Sequence, residues 1–214
     1  MTRVLLTGFE PFDGESTNPS WQAVRAAAAE PPAGVEAFAV ELPCVYGASL
    51  AVLRVAIEET RPEVVVCVGQ AGGRPDITVE RVAINVDDAR IPDAAGAEPV
   101  DEPIVPGGPA AYFSTLPVKA CVAAVRGVGL PASVSNTAGT FVCNHVFYGL
   151  AHLIATELPG VRGGFAHVPY APEQVVDRAR PSLPVASVAQ GLRAIAVTAA
   201  TTHTDLRVAG GAVH

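Results

Sequence analysis

The stretch Pro131-Ala132-Ser133-Val134-Ser135-Asn136-Thr137-Ala138-Gly139-Thr140-Phe141-Val142-Cys143-Asn144-His145 passes from a short strand, through a turn of small residues, into a helix. The helix is marked by Val146, Phe147, Leu150, Leu153 and Ile154, which recur at helical spacing. Thr140 is placed as its N-cap, which sets Cys143 in the first turn. There the free backbone N–H groups and the positive end of the helix dipole favour a thiolate over a thiol. A thiolate is the nucleophilic form of cysteine, so the segment suits attack on a carbonyl.

The same alternation extends to both sides. Val4 to Thr7 reads as a buried strand, followed by the loop Gly8-Phe9-Glu10-Pro11-Phe12-Asp13-Gly14. Asn18-Pro19-Ser20 is a cap and an N1 proline, opening a helix to about Ala29. Val35 to Leu42 is a strand and Ala48 to Thr60 a helix. Val64-Val65-Val66-Cys67-Val68 is a fully buried strand ending in the turn Gly69-Gln70-Ala71-Gly72-Gly73. Thr78 to Val86 is expected as one strand, Asp87 to Pro109 as a loop or lid, and Thr115 to Arg126 as a helix. Phe165 to Val168 is a strand stopped by Pro169, and Ser187 to Ala199 is the last helix. From Thr201 to residue 214 the polar, glycine-containing tail is expected to be loose. The class is therefore α/β, a three-layer sandwich with a central, mostly parallel sheet and helices on both faces, in one domain spanning residues 1–214. In such sheets ligands bind beyond the carboxyl ends of the strands. The Gly8 loop, the Gly69 turn, Cys143 and His167 all fall at such ends.

Composition narrows the function. The chain of 214 residues carries a net charge of −7 and half its residues are hydrophobic. No basic cluster is present, which argues against nucleic-acid binding. Lys119 is the only lysine and precedes Ala120, so a Walker A site is excluded. Cys44, Cys67, Cys121 and Cys143 match neither a zinc pattern nor a C-x-x-C pair. No signal peptide and no membrane-spanning run is read, and a cytoplasmic protein with reduced thiols is expected.

Cys67 lies in an all-valine context and Cys121 on an apolar helix face, so both read as core. Cys44, beside a proline, reads as structural. Cys143 stands apart by its place at a helix start. A sulfur nucleophile needs a proton acceptor, usually histidine. His145 is two residues along the same helix and diverges from Cys143. His152 is out of reach, and His203 and His214 lie in the tail. His167, at a strand end before Pro169, is the candidate that can face a pocket. Glu80 sits among apolar and β-branched residues from Ile77 to Ile84. Such an acid either faces solvent, paired with Arg81 or Arg74, or accepts a hydrogen bond from His167. Phe9 and Phe12, on a Pro/Gly loop, either fold onto the core or wall an apolar pocket.

These segments together resemble the pyroglutamyl-peptidase I family of cysteine peptidases. The resemblance rests on Thr7-Gly8-Phe9-Glu10-Pro11-Phe12 with Asn18-Pro19-Ser20, on Gly72-Gly73-Arg74, and on Glu80-Arg81-Val82-Ala83-Ile84-Asn85. It continues through Asp88-Ala89-Arg90-Ile91-Pro92, Ser135-Asn136-Thr137-Ala138-Gly139, Cys143-Asn144 and His167-Val168-Pro169-Tyr170. It implies a nucleophile at Cys143, a base at His167 and an orienting acid at Glu80. It further implies a substrate pocket of Phe9, Phe12, Gln70, Ile91, Phe141 and Val142. The oxyanion would be held by the Cys143 backbone N–H with Arg90. A phosphorylase/hydrolase-like fold and a homotetramer follow from the same resemblance. So does a peptide substrate beginning with pyroglutamate, cleaved with no metal or cofactor. A competing reading is a nucleoside- or nucleotide-binding, phosphorylase-like domain, with the Gly69–Gly73 turn as phosphate cradle and Asp87 and Asp88 nearby.

Overall fold

Alternating runs of β-branched and helix-forming residues fold here into a main sheet with helices on either side. The computed structural model describes residues 1–211; the expectation for His214 lies outside them. The strands are β1 (Thr2–Phe9), β2 (Val35–Leu42), β3 (Val64–Gln70), β4 (Ile77–Glu80), β5 (Val82–Ile84), β6 (Ala111–Phe113), β7 (Ala132–Ser135) and β8 (Arg162–Val168). The helices are α1 (Pro19–Ala29), α2 (Ala48–Thr60), α3 (Val118–Gly127), α4 (Val142–Thr156) and α5 (Val185–Thr201), with a 3₁₀ turn at Pro172–Gln174. The main sheet has six strands in the order β2-β1-β3-β8-β4-β7. Pairings among β2, β1, β3 and β8 are parallel, whereas β4 pairs antiparallel with β8 and β7 runs with β4.

Alternation along β1 divides the core. Val4 and Leu6 pack with α1, α3 and α5, while Leu5 packs with α2 and α4 on the opposite face. Both faces are covered, so β1 at Val4–Leu6 and β3 at Val64–Val68 are unbroken apolar runs, and only terminal residues of the two strands are accessible. Helix α1 begins as expected: Asn18 Oδ1 accepts from the Ser20 N–H, and Pro19 occupies the first turn. No helix among the described residues is long and apolar enough to cross a membrane.

Two expectations are corrected. The run from Thr78 to Val86 is not one strand. It breaks at Arg81, whose N–H donates to the Ser135 carbonyl and whose own carbonyl accepts from Ser114. Beyond that break β5 leaves the main sheet and pairs with β6. The segment after Thr201 is not loose as far as residue 210. Asp205 accepts from the Lys119 and Ala120 N–H groups at the start of α3, and Arg81 donates to the Gly210 carbonyl. A carboxylate at a helix N-terminus is stabilised by the dipole and by N–H groups with no partner inside the helix.

Candidate active site

The carboxyl ends of β1, β3 and β8 open onto a cavity of about 530 Å³. Phe9, Phe12, Cys44, Gln70, Arg90, Ile91, Phe141 and Cys143 are among its lining residues. The Phe12 and Phe141 rings pack at a tilt of 38° with centroids 5.5 Å apart, and Tyr46 meets Phe141 edge-on. Arg90 is exposed at the mouth. Val142 is the exception among the expected wall residues. Its side chain is fully buried in the cluster between the sheet and α2 and α4, behind the wall.

Cys143 is the second residue of α4, so the expected first-turn placement holds. Thr140 is not the cap. The N-cap is Phe141, without a side-chain bond, and the Thr140 hydroxyl instead donates to the Asp88 carbonyl. With no side chain on them, the first N–H groups of α4 are left for whatever occupies the cavity. The sulfur sits against β3: a β-carbon built on Gly69 would lie 2.7 Å from Cys143 Sγ. Gly69 is the register partner of His167 across the parallel β3–β8 ladder. The sulfur, seated over β3, and the imidazole, on the adjacent β8, therefore lie on the same face of the sheet. Phe165, two residues before His167, packs its ring 4.8 Å from the imidazole and also touches the space above Gly69.

His167 is buried, and its Nδ1 lies 2.7 Å from Glu80 Oε1. This contact engages Nδ1, and Nε2 is the ring nitrogen that Glu80 does not hold. Glu80 is fully buried because β4 runs antiparallel to β8: Thr78 pairs with His167, and Glu80 lies two residues deeper on the same face. Of the two readings open for Glu80, the solvent-facing one fails, and of it only the Arg74 partner is found. The carboxylate bonds His167, and Arg74 reaches in from the β3–β4 loop to donate 2.6 Å to the same oxygen. Arg74 also donates to Thr78 Oγ1 and to the Thr137 carbonyl, tying the carboxylate to the turn that precedes Cys143. Arg81 is not its partner.

The charge state follows from burial set against these contacts. Burial raises the Glu80 carboxyl, but the His167 hydrogen bond and charge, the Ser135 hydroxyl and the Arg74 charge outweigh it, and the group falls below its ordinary value. Burial pushes the His167 imidazole down, more than Glu80 raises it, and Arg74 lowers it further. Burial pushes the Cys143 thiol up, and the neighbouring Cys44 and Glu80 add to this. Burial thus opposes the expected resting thiolate. The start of α4 favours negative charge on sulfur as a reaction develops.

The loop from Asp87 to Pro109 is fastened to the pocket at several points. Asp87 Oδ2 lies 2.8 Å from His145 Nδ1, and His145 Nε2 accepts from the Gly47 N–H. Asp88 N–H donates to the Thr140 carbonyl, and the Tyr46 N–H donates to Asp93. His145 points away from the sulfur, as its spacing implied, yet joins three segments of the pocket frame. The pairing partner Asp87 could not be read from spacing alone. The Gly69–Gly73 turn is not built as a phosphate cradle. Two of its glycines answer to side chains: Gly69 lies under Cys143, and a β-carbon on Gly72 would collide with the Tyr170 ring. Cys67 and Cys121 are fully buried, as expected. Cys44 borders the cavity and its N–H donates to Glu10, so it belongs to the pocket frame.

A half-buried cysteine at a helix start, beside a buried His–Glu pair on an α/β sheet, defines a cysteine-type hydrolase. Comparison with known proteins narrows this further. The family model described as pyroglutamyl peptidase matches residues 2–202. The pyrrolidone-carboxylate peptidase of Streptomyces coelicolor is 68% identical over 216 residues, covering 100% of both chains. That of Klebsiella pneumoniae is 57% identical, again over 100% of both. The crystal structure of pyroglutamyl peptidase I from Bacillus amyloliquefaciens superposes with a TM-score of 0.96 at 50% identity, covering 97% of this chain and 99% of that one. The pyrrolidone carboxyl peptidase from Thermococcus litoralis gives 0.93 at 35% identity, covering 98% and 100%. The chain belongs to the pyroglutamyl peptidase family.

Proposed function

We propose that the chain is a cysteine exopeptidase that removes N-terminal pyroglutamate (5-oxoproline) from peptides, with Cys143 as nucleophile, His167 as general base and acid, and Glu80 as the group orienting His167. The observation that carries this reading is the sulfur seated over Gly69, one strand from a His167 whose Nδ1 is held by Glu80. The substrate ring is a neutral lactam. A slot walled by Phe9, Phe12, Phe141 and Ile91 accepts it, whereas a free N-terminal glutamate or glutamine would carry an ammonium into apolar surroundings at a large desolvation cost.

The Cys143 thiol passes its proton to His167 Nε2 as Sγ bonds to the pyroglutamyl carbonyl carbon. The resulting oxyanion is held by the Cys143 N–H and Arg90; one such donor is typically worth about 3 kcal/mol of barrier. The imidazolium, stabilised by Glu80, returns the proton to the departing amine as the C–N bond breaks. Water, deprotonated by His167, then cleaves the thioester, and the sulfur recovers its proton. The test is hydrolysis of a pyroglutamyl amide reporter with and without iodoacetamide. Turnover abolished by alkylation is expected; turnover that survives alkylation of Cys143 contradicts the reading.

The same proposal places the chain in the cytoplasm, where its four free cysteines stay reduced. It also assigns a homotetramer. Phe113 on β6 is 70% exposed and offers apolar surface that another copy would cover. Light scattering of the purified chain tests the assembly.

A further inference from the structure

A five-membered lactam fills only part of the cavity, and the remainder must take the chain that follows it. His167 gives its proton to the departing amine, so the residue after pyroglutamate lies on the His167 side of the sulfur. Tyr170, three residues beyond His167, lines the cavity together with Gly72, Glu15 and Arg178. The Tyr170 ring packs over Gly72, where a β-carbon would collide with it.

Arg178 is held at this place by three contacts. Its Nη2 donates at 2.8 Å to Glu15 Oε1, on the loop between β1 and α1, and at 2.9 Å to the Gln174 carbonyl. Its guanidinium carbon stands 5.6 Å from the centre of the Tyr170 ring. The two polar contacts use only Nη2. Nε and Nη1 carry three further N–H groups, which have no partner among the described residues, and the side chain is half exposed. The charged residues lining the cavity are Asp13, Glu15 and Asp88 against Arg90 and Arg178. With Arg90 assigned to the oxyanion, Arg178 is the lining cation left for the rest of the peptide. It is fixed in place before substrate arrives and still has donors to offer a planar anion.

We infer that Arg178 is a specificity-determining residue that receives a carboxylate carried by the residue after pyroglutamate, either on its side chain or, in a dipeptide, at its C-terminus. This rests on the pyroglutamyl-peptide reading above. Glu15 aims the guanidinium and offsets part of its charge, so the preference has the size of an exposed ion pair. A cationic side chain in the same place faces a like charge and is disfavoured.

The test compares the C-terminal amides of pyroglutamyl-glutamate, pyroglutamyl-lysine and pyroglutamyl-alanine with the free acid of pyroglutamyl-alanine. Release of pyroglutamate gives kcat/KM, expressed for each peptide as a ratio to the alanine amide. In the wild type a carboxylate peptide should exceed the lysine amide by about fivefold, and high salt should shrink that advantage. Arg178→Gln should abolish the advantage, and Arg178→Glu should make the lysine amide the better substrate. An effect on the glutamate amide places a side-chain carboxylate at Arg178, and an effect confined to the free acid places the C-terminus there. Ratios equal in wild type and both variants overturn the inference, even where all rates fall together, since that marks Arg178 as a support of its loop alone. A wild-type preference for the lysine amide also overturns it. A wild-type chain that cleaves the alanine amide without any charge preference sinks this inference and spares the functional reading; one that releases no pyroglutamate from any of the peptides overturns both.

Discussion

Cys143 Sγ occupies the space that a side chain on Gly69 would need, 2.7 Å from an ideal β-carbon there. The absent side chain on β3 is thus what lets the sulfur settle on the sheet beside His167. Gly69→Ala should push Cys143 off the sheet or tilt α4. Misplacement of a reacting atom by about 1 Å can cost on the order of 10²-fold in rate. We expect a fall in kcat of that order with the fold retained, measured by reporter kinetics and circular dichroism.

Glu80 and His167 form a buried hydrogen-bonded pair, so the imidazolium of the reaction depends on the carboxylate. Glu80→Gln removes a group that raises the imidazole against its burial, and its amide can present the wrong polarity to Nδ1. Turnover should drop by about 10²- to 10⁴-fold with little change in KM. A change in KM alone would move Glu80 from the catalytic set to the pocket.

Arg74 opposes Glu80 at His167. It lowers the imidazole while it holds the carboxylate ionised. In Arg74→Gln the imidazole should bind a proton more readily, and the acid limb of the kcat/KM profile should move to higher pH. A limb that stays fixed or moves to lower pH would contradict this charge arrangement.

Stability should also follow pH. The folded state holds His167 below its ordinary 6.5, so below that pH the unfolded chain binds the proton first and stability falls as pH drops. Glu80 is held below its ordinary 4.5, so its contribution is present above that value and is lost on further acidification. The urea midpoint should therefore decline steadily from pH 7 to pH 4. His167→Gln should flatten the part of the curve just below pH 6.5.

Much of this architecture was legible in local chemistry. The Asn18-Pro19-Ser20 cap, the valine run of β3 and the helical spacing after Cys143 each act within a few residues, and each appears where the chain places it. The His167–Glu80 contact and the place of Cys143 in the first turn of α4 were legible because few residues combined reactivity with a strand end, a helix start or an apolar context. What was hidden depends on contacts between distant segments. The break at Arg81 comes from hydrogen bonds to Ser135 and Ser114. β6, Ala111–Phe113, is too short to show a period. Asp205 docks the tail only because α3 presents its N-terminus there. Arg74 was visible as a partner for Glu80, but only as an alternative to His167, whereas one carboxylate oxygen serves both.

The most direct measurement is acid-quenched mass spectrometry of the chain during turnover of a pyroglutamyl amide, paired with the rate of Cys143→Ala. The account predicts one pyroglutamyl group attached to the peptide that contains Cys143, and no turnover in a folded Cys143→Ala chain. Wild-type turnover by Cys143→Ala, or an acyl group trapped on a different residue, would contradict it.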